Sequence, residues 1–554
     1  PLVAAATSGV ARVTFAAGEG DLRYEEVLEL AVRPARSSVV ESGAFAVAPG
    51  ETRTFEWPAG FAPASVRDRL CVAGLPSLSF SGGLEYLFRY PYGCLEQTTS
   101  TSFPLLYLVD LAELTDPRGR SREENAARIQ SGIARVLSMQ LSDGWLALWP
   151  SSRDAYPYGS IYAAHFLTEA AKAGYEVPQA PFKDLLKAIN SSLSSWNDGG
   201  ATANGFNDQE IAYALYVLAL NGQWNEGWSA RLEEKKDNLA VSARILNATA
   251  RAVSGKREDA AKLLQAVSPA ALAATTPRKL GGSLNSPVQD LSLLLSAWLE
   301  IDPANPAVPD LARRLEATQK GGNGWYTTHD NALALMALGK FAARVAADAK
   351  PFEADVTAGD AKHAASTAKA LSLKPAAAME KVVIVNRGPG TAYVSWMRTG
   401  IPSAGVEPDN ATGLKVTREW LDGAGKPRDP ATFRQGDLAV VLVTVDSMGR
   451  EVDQVAIEDL LPAGLEVENP VFKTSANVPW LSERTRGPLL HVEHRDDRVL
   501  AFTGAFNGQL VFGYQVRAVT PGDFVLPAVS AECMYDPSLR AAKGAGRIKV
   551  EALK

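Results

Sequence analysis

Between two stretches patterned for β-strands lies a long block, from about residue 71 to 348, whose alanines and leucines recur at i, i+3 and i+4. Amphipathic helices are predicted to open near Ser160 (SIYAAHFLTEAAKAG), Asp208 (DQEIAYALYVLALNG), Ala240 (AVSARILNATARAVSG), Val288 (VQDLSLLLSAWLEID) and Thr328 (THDNALALMALGKF), spaced by about 32 to 48 residues. A helix of this kind hides its apolar face only against its neighbours, so the block must fold as a repeat array. Its period is compatible with an open solenoid or with a closed α/α toroid. The β-rich flanks suggest that the array is an insertion into a β domain.

The flanks carry a different period. Residues 1 to about 66 alternate in short runs such as Ala11-Arg12-Val13-Thr14-Phe15, punctuated by Gly and Pro. Strand patterning returns from about residue 349, with Lys381-Val382-Val383-Ile384-Val385 and Leu438-Ala439-Val440-Val441-Leu442. The last 150 residues read as an antiparallel sandwich with turns at Asp422-Gly423 and Pro521-Gly522. At 554 residues the chain has room for three to four domains.

Composition removes several classes of function. A net charge of −6 offers no basic face for phosphates, so no nucleic-acid partner is expected. No apolar run reaches the roughly 20 residues that span a bilayer. The candidate from Phe103 to Leu114 is broken by Pro104 and Asp110 and reads as buried helix. The five histidines (His165, His329, His363, His491, His494) and three cysteines (Cys71, Cys94, Cys533) show no zinc spacing, so neither a metal nor a cofactor is expected. His329, at a helix start, is expected at the surface or in a cap. Pro1-Leu2-Val3 is neither an initiator Met nor a signal peptide, so the chain reads as a mature or truncated product.

The most specific segment is Tyr90-Pro91-Tyr92-Gly93-Cys94-Leu95-Glu96-Gln97. Pro91 and Gly93 stop an extended stretch and helix follows, which puts Cys94 at a helix N-terminus where the dipole favours a thiolate. Residues three apart share a helix face, so the Cys94 sulfur can reach the carboxamide carbon of Gln97. Attack there with loss of ammonia gives a macrocyclic thioester, an acylating agent that must be kept from water. Tyr90, Tyr92, Trp145 and Trp149 are near enough in sequence to shield it. The plain alternative is a buried cysteine beside a helix-surface glutamine.

YPYGCLEQ resembles the thioester signature of bacterial α2-macroglobulins, whose animal relatives and complement proteins carry Gly-Cys-Gly-Glu-Gln. DGWLALWP (residues 143–150), GWYTTHDNALALMAL (324–338) and AECMYDP (531–537) are also similar to that family, in the expected order over nearly the whole chain. The resemblance implies an α/α-toroid thioester domain inserted in a β-rich CUB domain, followed by a β-sandwich macroglobulin-like domain. The expected boundaries are 1–25 for the end of a macroglobulin-like β domain and 26–70 for the first CUB half. Residues 71–348 would be the toroid, 349–400 the second CUB half and 401–554 the C-terminal sandwich.

The resemblance also implies roles. Cys94 and Gln97 would form the thioester, with Tyr90 and Met534 as its shield and Tyr535 adjacent. Asp208-Gln209-Glu210 resembles the place where complement proteins carry His-Gln-Glu. With Asp208 replacing the histidine, the site should prefer amines over hydroxyls; alternatively, Asp208 simply caps a helix beginning at Gln209. Cys71 and Cys533 either form a disulfide or remain two reduced buried thiols.

The implied function is a broad-spectrum protease trap rather than an enzyme, acting in periplasmic bacterial defence and coupling Gln97 to lysines of attacking proteases. Any inner-membrane anchoring would depend on residues preceding this sequence. The alternatives are a thioester-dependent adhesive or opsonin-like surface protein, or an α/α-toroid enzyme. For the last, neither an Asp-rich acid motif nor a zinc site is present in the sequence.

Overall fold

The computed structural model describes the chain except residues 1–8, 20–21, 33–35, 37, 75–79, 90–92, 109–120, 151, 195–205, 268–271, 273–281, 320–323, 326, 347–349, 376–377, 404–407, 469–477 and 554. Its contacts divide it into two units: Val40–Pro58 with Asp68–Arg398, and Pro1–Val39 with Ala59–Arg67 and Thr399–Lys554.

In the first unit the helices are α1 (Phe80–Arg89), α2 (Leu95–Ser102), α3 (Leu105–Leu108), α4 (Arg122–Leu137), α5 (Pro157–Lys172) and α6 (Gln179–Ser194). They continue with α7 (Asp208–Leu220), α8 (Glu226–Glu234), α9 (Val241–Val253), α10 (Arg257–Gln265), α11 (Pro287–Ile301), α12 (Ala307–Ala317) and α13 (Thr328–Ala346). Helix α2 packs on α5, α5 on α7, α7 on α9, α9 on α11, α11 on α13, and α13 returns to α2. The ring closes, which decides between the two repeat architectures: it is a toroid.

Burial follows position in the ring. Inner helices such as α5 and α7 are buried on nearly every side. Outer α12 buries only Val308, Leu311, Ala312 and Leu315, one stripe of an amphipathic helix. The segments read from sequence near Ser160, Asp208, Ala240, Val288 and Thr328 became α5, α7, α9, α11 and α13, all inner. The stretch expected as helix from Phe103 is helical at Leu105–Leu108, and residues 109–120 lie outside the described residues.

The toroid is inserted in a two-sheet β domain. Strands β3 (Val39–Val47), β4 (Thr52–Glu56) and β5 (Arg67–Ala73) precede it; β6 (Glu353–Ala358), β7 (Ala361–Ser366), β8 (Leu371–Leu373), β9 (Lys381–Asn386) and β10 (Ala392–Gly400) follow it. The sheet orders are β3-β10-β5-β8 and β4-β9-β6-β7, so each sheet combines both flanks. Val47, Leu70 and Val72 from before the toroid share one core with Phe352, Val356, Ile384 and Val394 from after it. The helical block was expected to open at Cys71, yet Cys71 lies in β5. The run Leu70-Cys71-Val72-Ala73 is buried throughout, and a strand buried on both faces has the same continuous apolar reading as a helix.

A buried ion pair spans the same domain. Arg398 donates from Nε to Asp68 Oδ1 at 2.7 Å and from Nη2 to Asp68 Oδ2 at 2.6 Å. The remaining donors reach the Met379 and Pro58 carbonyls, and the Met379 N–H donates to Asp68. With both charges fully hydrogen-bonded, desolvation is offset; with one removed it is not.

In the second unit, β1 (Gly9–Glu19) and β2 (Leu22–Val32) form a separate antiparallel hairpin, and the boundary expected after residue 25 falls within β2. The C-terminal strands are β11 (Asn410–Thr412), β12 (Lys415–Leu421), β13 (Thr432–Arg434), β14 (Leu438–Val452), β15 (Val455–Leu460), β16 (Leu465–Glu468) and β17 (Leu489–His494). They end with β18 (Arg498–Thr503), β19 (Phe506–Ala518), β20 (Gly522–Leu526), β21 (Val529–Cys533), β22 (Asp536–Lys543) and β23 (Gly546–Glu551). Sheets β11-β22-β21-β15-β18-β17 and β12-β14-β19-β16 are the main layers, with β13-β23-β20 as a third. Asp459 ties the two main layers: it takes Arg418 Nη1 at 2.5 Å and the Tyr514 hydroxyl at 2.6 Å.

Asp68→Ala should destabilise the first unit by about 3–5 kcal/mol, because Arg398 is left charged and buried. Urea unfolding followed by tryptophan fluorescence checks this; an unchanged midpoint would contradict it.

Candidate functional site

Cys94 is the N-cap of α2, with φ −66° and ψ 174°, and Gln97 is the third helical residue. Gly93 before it has φ +70°, a left-handed conformation that suits glycine and turns the chain into the helix. Cys94 and Gln97 form a capping box. The Cys94 backbone N–H donates to Gln97 Oε1 at 3.3 Å, and the Gln97 backbone N–H faces the Cys94 sulfur, a weaker acceptor. The thiol and the carboxamide are thus held on one side of a single helical turn, as their spacing required.

The surroundings fix that turn. The Leu95 N–H donates to the Leu148 carbonyl at 2.9 Å, so the segment 143–150 lies along the start of α2. Its Trp145 and Trp149 are buried. Glycine at position 132 lets α4 approach α2, because a Cβ there would stand 2.0 Å from Ser102 Oγ. Cys94 and Gln97 are both nearly inaccessible, at 1% and 2%.

Beneath the pair runs a buried polar network. Glu96, with no exposed surface, accepts Ser100 Oγ at 2.5 Å and Thr328 Oγ1 at 2.8 Å. Ser100 Oγ is also 3.2 Å from the Tyr162 hydroxyl. Tyr158 lies 2.8 Å from His329 Nε2 and accepts Gln289 Nε2 at 2.9 Å. Helices α2, α5, α11 and α13 are therefore cross-linked at their N-terminal ends, where helix dipoles favour a buried carboxylate. Burial pushes the Tyr158 and Tyr162 phenols well above their usual range, so both stay neutral donors. His329 is fully buried, which corrects the expectation of a surface or capping residue: it sits on the inward face of an inner helix. This network was not read from the sequence. Its only signal was polar residues at the openings of helices that are otherwise apolar.

Midway along α5, His165 lies 2.9 Å from the hydroxyl of Tyr213 in α7 and edge-on to Phe103 and Tyr216. Burial lowers its pKa to about 3.

Other expected site residues are placed as follows. Asn207, not Asp208, caps α7: its Oδ1 takes the Gln209 and Glu210 N–H groups at 3.0 and 3.1 Å, and Glu210 completes the box. Asp208 is the first helical residue, with Lys235 Nζ 3.9 Å away. Cys71 and Cys533 do not form a disulfide, and all three cysteines are buried. The reason is local engagement: Cys71 accepts Arg69 Nε at 3.3 Å inside its own domain, and Cys533 donates to the Asp453 carbonyl at 3.1 Å. Burial also pushes the Cys533 thiol up to about 11, which keeps it protonated and inert. Met534 and Tyr535 form the two-residue tip of the β21–β22 hairpin, where Cys533 pairs with Asp536. Tyr90 lies outside the described residues. Among the described residues no group of three or more His, Cys, Asp or Glu is arranged to hold a metal.

The chain is similar to known proteins in sequence and in fold. Residues 413–538 match the family model of the bacterial α2-macroglobulin MG10 domain. α2-Macroglobulin of Xylella fastidiosa is 31% identical over 516 residues, 88% of this chain, and that of Escherichia coli is 30% identical over 547 residues, 93% of this chain. The crystal structure of native E. coli α2-macroglobulin from domain MG7 to the C-terminus superposes with a TM-score of 0.79 at 25% identity, covering 98% of this chain and 88% of that one. Salmonella α2-macroglobulin reacted with methylamine superposes with a TM-score of 0.78 at 27% identity, covering 96% of this chain and 35% of that one. The chain belongs to the bacterial α2-macroglobulin family. It spans 30% of the length of the Xylella relative and 32% of the E. coli one.

His165 should remain neutral down to about pH 4. Because its folded pKa lies below the unfolded value near 6.5, the unfolded chain binds more protons between the two, and stability falls as pH drops from about 6.5 towards 3. Imidazole NMR titration checks this; a His165 midpoint near 6.5 in the folded protein would contradict it.

Proposed function

We propose that this chain is the acylating part of a periplasmic bacterial protease trap, in which Cys94 and Gln97 form an internal thioester that captures a lysine of the attacking protease. The observation that carries the reading is the Cys94–Gln97 capping box, which holds thiol and carboxamide together in one buried turn. Membership of the α2-macroglobulin family supports it, and so does the relative whose structure was solved after reaction with methylamine, a small amine.

The chemistry is stoichiometric. The Cys94 sulfur attacks the Gln97 carboxamide carbon, and ammonia leaves with the thiol proton. Later an amine attacks the same carbon and Cys94 departs as a thiol. Water must be excluded meanwhile. We assign the fixed cover to Trp145 and Trp149, buried in the segment that lies along the start of α2, and the movable shield to Tyr90, Met534 and Tyr535; the last two form a hairpin tip. Asp208 lies at the mouth of α7, where an imidazole would speed transfer to hydroxyls; a carboxylate there favours amines. In domain terms, we assign β3–β5 and β6–β10 as the two CUB halves around a thioester domain of α1–α13, with 401–554 as the C-terminal macroglobulin-like sandwich.

Intact mass on freshly purified protein should fall about 17 Da below the sequence mass, then rise by about 31 Da with methylamine as one thiol appears. Cys94→Ala should abolish both changes. A wild-type chain at full sequence mass that is inert to methylamine would refute the reading.

A further inference from the structure

Forming and opening a thioester both pass through a tetrahedral stage at the Gln97 side-chain carbon. In formation the C–S bond is made, the C–N bond breaks, and ammonia carries off the thiol proton. In opening an amine nitrogen bonds to the carbon, the C–S bond breaks, and the amine proton passes to the Cys94 sulfur. In each case negative charge builds on Gln97 Oε1, and a donor already aimed at that oxygen lowers the barrier. The Cys94 backbone N–H is such a donor, 3.3 Å away.

That N–H belongs to the Gly93–Cys94 peptide, and the peptide is gripped from its other end. The Gly93 carbonyl accepts Thr98 Oγ1 at 3.3 Å and Arg135 Nη2 at 3.4 Å. Thr98 reaches back from the first turn of α2. Arg135 comes from α4, one turn beyond Gly132, the residue whose missing side chain lets α4 cross α2 closely. Donors on a peptide carbonyl polarise the whole unit and strengthen donation by its N–H, a cation most of all. Left-handed Gly93 would otherwise let this peptide plane rotate.

We propose that Thr98 and Arg135 are positioning residues of the acyl centre: by holding the Gly93 carbonyl they aim and polarise the Cys94 N–H that stabilises charge on Gln97 Oε1. Neither side chain touches the reacting atoms. Arg135 is exposed and Thr98 only half-buried, so neither is needed to fill the core. The proposal rests on the thioester reading and adds the residues that set its rate.

The test uses the chain with Thr98→Val, Arg135→Gln, both together, and the conservative Thr98→Ser and Arg135→Lys. Three quantities are measured: the mass deficit, the second-order rate of thiol release by methylamine, and the thioester carbonyl stretch by infrared spectroscopy. Each non-conservative variant should react about 3- to 10-fold more slowly, and the double variant more slowly still. The carbonyl stretch should rise as the hydrogen bond weakens, while the unfolding midpoint stays near wild type. Thr98→Ser and Arg135→Lys should recover most of the rate. Wild-type rate and carbonyl stretch in the Arg135→Gln protein would overturn the proposal while leaving the thioester intact. Slowing that neither conservative variant recovers would overturn it too. A wild-type chain with no mass deficit would instead remove the thioester reading on which it stands.

Discussion

Closure of the helical ring is the constraint from which the site follows. Inner helices separated by outer return helices run parallel, so their N-terminal ends meet at one mouth. There α2 is tied to α13 through Glu96 and Thr328, and α5 to α13 and α11 through Tyr158, His329 and Gln289. Each inner helix brings a positive dipole end to the mouth, which suits a buried Glu96 and a thiol that reacts as thiolate. An open solenoid of the same helices would have no such convergence.

Local sequence then decides what occupies the mouth. A helix N-cap is ordinarily Ser, Thr, Asp or Asn, because an oxygen there satisfies an orphan N–H. Placing Cys at the cap and Gln three residues later keeps the capping geometry and, in the function proposed above, would substitute a nucleophile and an acyl donor for two structural groups. The Asn207–Glu210 box on α7 shows the same turn used for stability alone.

The legible parts of the chain were those with local signals. The period of the middle block located the inner helices, and the YPYGCLEQ string picked out Cys94 and Gln97. Ring closure, the pairing of both flanks in each sheet and the burial of His329 depend on contacts between residues hundreds of positions apart, which no window of sequence reports. Cys71 was read as opening the helical block because a fully buried strand lacks the alternation that marks exposed ones. Counting leaves Cys71 and Cys533 open between a disulfide and two reduced buried thiols, because counting is blind to where each thiol points. Arg135 is a surface arginine in any sequence reading; only the crossing at Gly132 carries it to the Gly93 carbonyl.

The central claim is that Gln97 is the acyl group handed to a target lysine. The most direct measurement is peptide mapping by mass spectrometry of the full-length protein after exposure to an attacking protease. An isopeptide joining the Gln97 side-chain carbonyl to a lysine Nε of the protease is expected, with Cys94 recovered as a free thiol in the same peptide. A protease held by the protein with Gln97 unmodified, or linked through a different residue, would contradict it.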